Sequence, residues 1–373
     1  MADPAEKQNL PAWDLTDLYS SPEAPEIEQD FARAEKLSKS FAESYQGKLV
    51  DLSGDQLGEA IGIYEEITEI LYKAMSYAQL QFAADVSDGE RGRFYQTTHE
   101  RLTDISTITL FFRLELNRLD DEVLKGQLES DKAAHFAPWI RDVRAFREHQ
   151  LSDDLEKLLH EKSVSGRAAW VRLFDETEAG LKFPLDGKDL SMSDVLNLMS
   201  DKDGKQRKKA AKVLGQVLGD NIKLFSLVTN TLAKDKAIED TWRSYPRPIS
   251  ERNLSNQVED EVVDALVSSV RASYPDLSHR YYRLKAKWFG VDQLDYWDRN
   301  APLPDDDARL YDWGQARKTV LDAYGRFEPK LADIADPFLD KRWSDPELLL
   351  PFLSFSFSLS PLPSLPSFFF FSF

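Results

Sequence analysis

Five histidines and no cysteine set the limits of metal and proton-transfer chemistry in this chain. The histidines are His99, His135, His149, His160 and His279. A helix binds catalytic zinc most recognisably through His-Glu-x-x-His. There the two imidazoles stand one turn apart and the Glu takes a proton from the metal-bound water. Two half-matches occur. His99-Glu100 has Thr103 where the second His would stand, and His160-Glu161 has Val164. On charged helices such isolated His-Glu pairs read as surface pairs. The lack of Cys excludes disulfides, thiolate catalysis, zinc ribbons and iron–sulfur clusters. There is also no Gly-rich phosphate loop, no Gly-x-Ser-x-Gly elbow, no kinase signature and no dinucleotide fingerprint. No residue is therefore assigned a catalytic, cofactor-binding or metal-binding role, and no bound cofactor is expected for this chain.

Other groups with chemical capacity have plainer readings. The acidic runs Glu259-Asp260-Glu261 and Asp305-Asp306-Asp307 suit solvated helix starts or loops. Lys205, Arg207, Lys208, Lys209 and Lys212 form a basic run that reads as a solvated helix face. Tyr281, Tyr282, Trp288, Tyr296 and Trp297 are dense enough to suggest core packing, with a substrate-groove wall as the other option. The formal charge is −18. So acidic a chain lacks the clustered Lys and Arg that a phosphate backbone demands, and nucleic acid is not an expected partner. The polar start, Met1 to Leu10, has no apolar signal core, and together with the lack of Cys this points to the cytoplasm.

The elements that would position these residues are helical almost throughout. Ser21-Pro22-Glu23 looks like a cap and a first turn, opening a helix to about Gln46, with Gly47 as its C-terminal cap. Ser53 opens a second, with Leu57, Ile61, Tyr64, Ile67, Leu71 and Met75 as one buried stripe. A third covers about Glu90 to Arg118, and Asp120-Asp121 restarts a short one. Shorter helices follow from 136 to 200, one of them Ser165 to Phe183. Asp203 to Trp242 reads as one very long helix or two stacked. Tyr245-Pro246-Arg247-Pro248 is a break, and helices resume near Gln257 and run past Pro275 to Gly290. Asp295 to Asp298 could be a β-strand, and a last helix spans about Tyr311 to Ile334.

After Trp343 the composition changes. From Leu348 to Phe373 the chain uses only Leu, Pro, Phe and Ser, the residues encoded when every base of a codon is a pyrimidine. The simplest reading is translation past a lost reading frame. Pro351, Pro361, Pro363 and Pro366 suit a membrane helix poorly, so no membrane partner is expected. The segment is expected to add nothing to the fold, and the run Phe368 to Phe371 to promote aggregation.

Several segments resemble the oligoendopeptidase F family, a branch of the thimet-oligopeptidase-like zinc metallopeptidases. Trp13-Asp14-Leu15-Thr16-Asp17-Leu18-Tyr19 is similar to the family's opening. His149 to Leu159 (HQLSDDLEKLL) and Gly166 to Glu176 (GRAAWVRLFDE) resemble its helical amino-terminal region. Ser250-Glu251-Arg252-Asn253-Leu254-Ser255-Asn256, then Tyr281 to Lys287 and Trp297 to Pro304, follow in the family's order. The resemblance spans about residues 10 to 343 and implies a mostly α protein. Residues 1–190 would be a helical amino-terminal domain, clearest at about 116–187. Residues 191–343 would be the first part of a catalytic domain, and 344–373 an aberrant tail. It further implies a cytoplasmic zinc metalloendopeptidase that hydrolyses short peptides with a metal-activated water. The family's two His ligands, its third Glu ligand and its general base have no matching position here, so the chain as given is expected to be inactive. A helical peptide-binding module without catalysis, or a product without function, are the alternatives.

Overall fold

The computed structural model describes residues 12–303 and 311–343, and these are almost entirely helical. The expectations made for Met1 to Leu10, for Asp305-Asp306-Asp307 and for the tail from Leu348 lie outside the described residues. The chain divides into two compact units. One comprises residues 21–180 and 220–273. The other comprises, among described residues, 12–20, 181–219, 274–303 and 311–343.

The core of the first unit lies among three long helices, α1 (Pro25–Tyr45), α2 (Gly54–Ala84) and α3 (Gly89–Arg118). Each start has a physical cause. Pro25 sits in the first turn of α1, where its missing N–H costs nothing. Ser53 forms a capping box with Gln56 at α2, and Asp88 accepts from the Glu90 and Arg91 N–H groups at α3. Helix α1 begins four residues later than Ser21 suggested, because Ser21 is spent in a turn. Its carbonyl accepts from the Ala24 N–H at 3.1 Å and its hydroxyl from the Glu23 N–H at 3.2 Å. Gly47, at φ 75°, occupies the left-handed position just past α1.

The expected α2 stripe is largely buried: Leu57, Ile61, Ile67, Leu71 and Met75 are all in the core. Phe41, Tyr64, Phe111 and Phe112 meet there with ring centroids 5.0–6.4 Å apart. Short helices α4 (Asp121–Gln127), α5 (Asp131–Ala134) and α6 (Ala137–Arg144) close one side. Buried Gln127 donates to the Leu49 and Leu52 carbonyls at 2.8 and 2.9 Å, which ties α4 to the turn before α2. Next come α7 (Asp153–Lys162) and α8 (Arg167–Gly180). The unit also contains α11 (Ile222–Trp242), α12 (Ser250–Ser255) and α13 (Asp260–Ser273). Phe174 of α8 meets Phe225 of α11 at 5.3 Å.

The second unit opens with a hairpin absent from the helical reading. Strand β1 (Phe183–Leu185) pairs antiparallel with β2 (Lys188–Leu190). Asp186 and Gly187 turn between them with φ of 51° and 79°, the pair of positive values a two-residue hairpin loop needs. Phe183 then packs with Val195 of α9 (Met192–Leu198) and Ala210 of α10 (Gly204–Asp220). The span 203–242 is two helices divided at Asn221. Helix α14 (Ser278–Trp288) leads to a 3-10 turn at Tyr296–Asp298, where a strand had been considered. The last expected helix is an antiparallel pair, α15 (Trp313–Phe327) and α16 (Pro329–Asp340), because Glu328 leaves helical geometry at φ −155°. Asp14 N–H donates to the Arg342 carbonyl at 3.0 Å and Trp343 Nε1 to Asp17 at 2.9 Å, which fastens the opening segment to the end of α16. No helix among the described residues is long and apolar enough to cross a membrane.

Candidate functional site

The two His-Glu pairs meet different surroundings at their two residues. His99 on α3 and His160 on α7 are half-buried where these helices pack, while Glu100 and Glu161 point to solvent. The surface-pair reading holds for the carboxylates and fails for the imidazoles. The cause is helical geometry, which puts successive residues about 100° apart around the axis. His160 Nε2 lies 2.8 Å from Ser106 Oγ, and Ser106 also donates to the Thr103 carbonyl at 3.1 Å. His160 thus makes a polar contact between α7 and α3. Burial pushes both imidazoles below their ordinary pKa.

A denser polar cluster ties α7 to the end of α11. Arg243 bonds both oxygens of Glu156, at 2.7 and 3.0 Å, and reaches Glu239 at 2.7 Å. His149 Nδ1 bonds the Arg243 carbonyl at 2.8 Å, and its ring stacks on Tyr245 at 4.0 Å. Burial alone would raise Glu156, but the Arg243 fork and the Leu151 N–H outweigh it and hold the carboxyl below its usual range. Burial opposes the charge on Arg243 too, yet Glu156 and Glu239 win and raise its pKa. Tyr245 is pushed up to about 12, chiefly by burial. Every charge in the cluster is matched, so it holds an interface and offers no free acid or base.

In the second unit Arg207 breaks the expectation of a solvated basic face. It is 3% exposed. Its Nε and one terminal nitrogen bond Asp298 at 3.1 and 2.6 Å, and the other bonds the Asp201 and Lys202 carbonyls at 2.7 and 3.0 Å. Lys285 is equally buried and donates to the Arg299 carbonyl at 2.8 Å. Burial, and then the nearby Arg207 charge, depress its pKa. These two cations clamp residues 298–299 between α10 and α14. Elsewhere in the run, Lys209 pairs with Asp186 at 2.9 Å, and Lys208 lies over the Trp297 ring at 4.9 Å.

The remaining candidates stay apart. His135 and His279 are exposed. Asp260 is held by Arg247 and Asn253. Tyr281, Tyr282, Trp288 and Tyr296 are exposed rather than in a core, because α14 buries only Lys285 and Ala286. A shallow cleft of about 250 Å³ between α1 and α3 is lined by Pro25, Glu28, Phe31, Phe94, Thr98 and Arg101. Arg101 spends its fork on Glu28, at 2.5 and 2.9 Å, and the exposed Glu23 also lines the cleft. Among the described residues no three His, Asp or Glu side chains converge on a point. Zinc needs at least three such donors at about 2 Å, and the residues present do not fit it.

Residues 115–183, from the end of α3 to β1, match the family model described as Oligopeptidase F. The chain is 24% identical over 356 residues to oligopeptidase PepF of Bacillus subtilis, covering 92% of this chain and 52% of that protein. It is 24% identical over 302 residues to an oligoendopeptidase F homolog of Borreliella burgdorferi, covering 78% and 48%. The crystal structure of oligoendopeptidase F from Enterococcus faecium superposes with a TM-score of 0.70 at 21% identity, over 87% of this chain and 67% of that one. Residues 115–183 thus match the amino-terminal region of the oligoendopeptidase F family, and the fold of the chain is that of the solved family structure. The chain spans about half the length of the curated relatives it matches. Glu156 and Asp298, one partner of each of the Arg243–Glu156 and Arg207–Asp298 pairs, fall within segments that carry the resemblance, at His149–Leu159 and Trp297–Pro304. Both were missed by reasoning from sequence, since partners 87 and 91 residues apart leave no local spacing signal.

Proposed function

We propose that this chain is the amino-terminal part of a zinc oligopeptidase, with residues 191–343 the first part of its catalytic domain. The parent reaction is hydrolysis of short peptides by a metal-activated water. The observation that carries this reading is the Oligopeptidase F match at residues 115–183, together with similarity along most of this chain to relatives of about twice its length. The 373 residues contain no His-Glu-x-x-His, and the described donors do not converge, so this chain on its own neither holds catalytic zinc nor cleaves peptides. Its contribution is the helical framework against which such a site works.

Metal analysis of the purified chain, together with a quenched fluorescent peptide assay, tests this. The expected result is substoichiometric zinc and no chelator-sensitive hydrolysis. One tightly held zinc per chain, lost on chelation together with peptide cleavage, would overturn it.

A further inference from the structure

The cleft between α1 and α3 has two polar groups that its own walls leave unused. It lies in the unit whose residues are all described. Glu28 and Arg101 neutralise each other there, and the guanidinium also sits over the Phe31 ring, 4.4 Å from its centre. Glu23 is exposed on the rim, and among the described residues no cation engages its carboxylate. Thr98 is the second group. It lines the cleft at 3% exposure, and its hydroxyl makes no hydrogen bond among the described residues. Other threonines of α3 behave differently. Thr103, Thr107 and Thr109 donate to carbonyls three or four residues back, at 2.9, 2.8 and 3.1 Å. A hydroxyl so enclosed calls for a partner, and the cleft is the side from which one can arrive.

We propose that this cleft binds an ammonium group on a short apolar stem, the chemistry shared by a peptide amino terminus and a lysine side chain. An ammonium has only donors to offer, and the Glu23 carboxylate and the Thr98 hydroxyl are acceptors. The stem lies against Phe94, which also lines the cleft. Charge selects the sign of the ligand. With Arg101 cancelled by Glu28, Glu23 leaves the cleft one negative charge in excess, on a chain that carries −18. The positive end of α1 opposes a cation, and Glu26 in its first turn offsets that. Arg101 already covers the Phe31 face, so a second guanidinium has no place to stack there and the compact ammonium fits better. Size limits the ligand. About 250 Å³ is less than a drug-sized molecule needs and suits a single residue. One exposed ion pair and a small apolar contact imply weak binding, with Kd of about 1–10 mM. The site lies on the amino-terminal helices, outside residues 191–343, and does not rest on the proposed peptidase reading.

Fluorine NMR of para-fluorophenylalaninamide with the full 373-residue chain reads the binding as line broadening. Acetylating the ligand's amine should abolish it. Glu23→Gln should weaken binding about threefold, the worth of an exposed ion pair. Thr98→Val, which keeps the side-chain shape, should weaken it by about as much. Glu129→Gln removes an exposed carboxylate elsewhere in the same unit and should change nothing. Competition separates the two sources. Displacement by acetyl-lysinamide at lower concentration than by phenylalaninamide assigns the cleft to lysine side chains, and the reverse order assigns it to amino termini. No broadening at about 10 mM ligand overturns the proposal. So does broadening that survives acetylation, or that Glu23→Gln and Glu129→Gln reduce equally, which would be general attraction to an acidic chain. If Thr98→Val lowers the helicity, acetylation and Glu23→Gln still decide. None of these results bears on the zinc and peptidase assays, so failure of this inference is distinct from failure of the proposed function.

Discussion

Arg243 illustrates why a charged residue inside a helical unit is a commitment. Its side chain and that of Glu156 are 16% and 13% exposed, so removing one strands the other in a poorly solvated place. Arg243→Met leaves Glu156 with only the Leu151 N–H and should cost about 3 kcal/mol. Glu156→Gln keeps a hydrogen bond, and Glu239 still neutralises the guanidinium, so it should cost only about 1–2 kcal/mol. Urea unfolding separates the two, and equal costs would show that Glu239 contributes nothing. His160 gives a prediction in pH. Its native pKa lies below the ordinary 6.5 because burial disfavours the imidazolium. Between the two values the unfolded chain binds more protons, so stability rises with pH there. Above pH 6.5 both states are neutral and the contribution is flat. Acidifying below 6.5 should therefore destabilise the protein, and the His160→Gln variant, which keeps a hydrogen-bonding group near Ser106, should lose part of that dependence. Comparing the two proteins isolates this effect from Glu115 and Asp175, which burial raises and which act in the opposite sense.

At the scale of the helix, α2 carries a paired test of close approach. A Cβ on Gly58 would lie 2.7 Å from the Lys132 backbone, because α5 crosses there without a side chain between. One turn on, Gly62 has nothing within 4 Å. Alanine favours a helix over glycine by about 0.5–1 kcal/mol, so Gly62→Ala should stabilise by about that much. At Gly58 the same gain is outweighed by overpacking of about 1–3 kcal/mol, and Gly58→Ala should lower the midpoint of thermal unfolding. Opposite signs from one substitution in one helix would confirm the packing of α5 on α2. The same helices show which features were legible. The starts at Ser53, Asp88 and Asp120 and the α2 stripe could be read because caps and 3.6-residue periodicity are local. The hairpin at Phe183 to Leu190 has a local signal in Asp186-Gly187, which suits a two-residue turn, but its second strand, Lys188-Asp189-Leu190, is mostly polar and gives no strand pattern. The strand considered at Asp295 to Asp298 failed for another reason. Its conformation is set by Arg207 and Lys285, which arrive from distant helices, and no local pattern encodes them.

Across the whole chain, burial is unevenly spread, and local stability should follow it. Helices α1, α2 and α3 hold most of the buried apolar side chains, whereas α13, α15 and α16 hold none that is fully buried. Amides open at a cost set by the packing that must be lost, so a helix without buried residues exchanges through cheap local openings. Hydrogen exchange at low protein concentration should therefore show slow amides at 57–82 and 103–117, and fast ones at 260–273 and 313–340. Protection at 313–340 as strong as that of α2 even in dilute solution would mean that the hairpin is stabilised within its own unit by interactions stronger than its exposure implies.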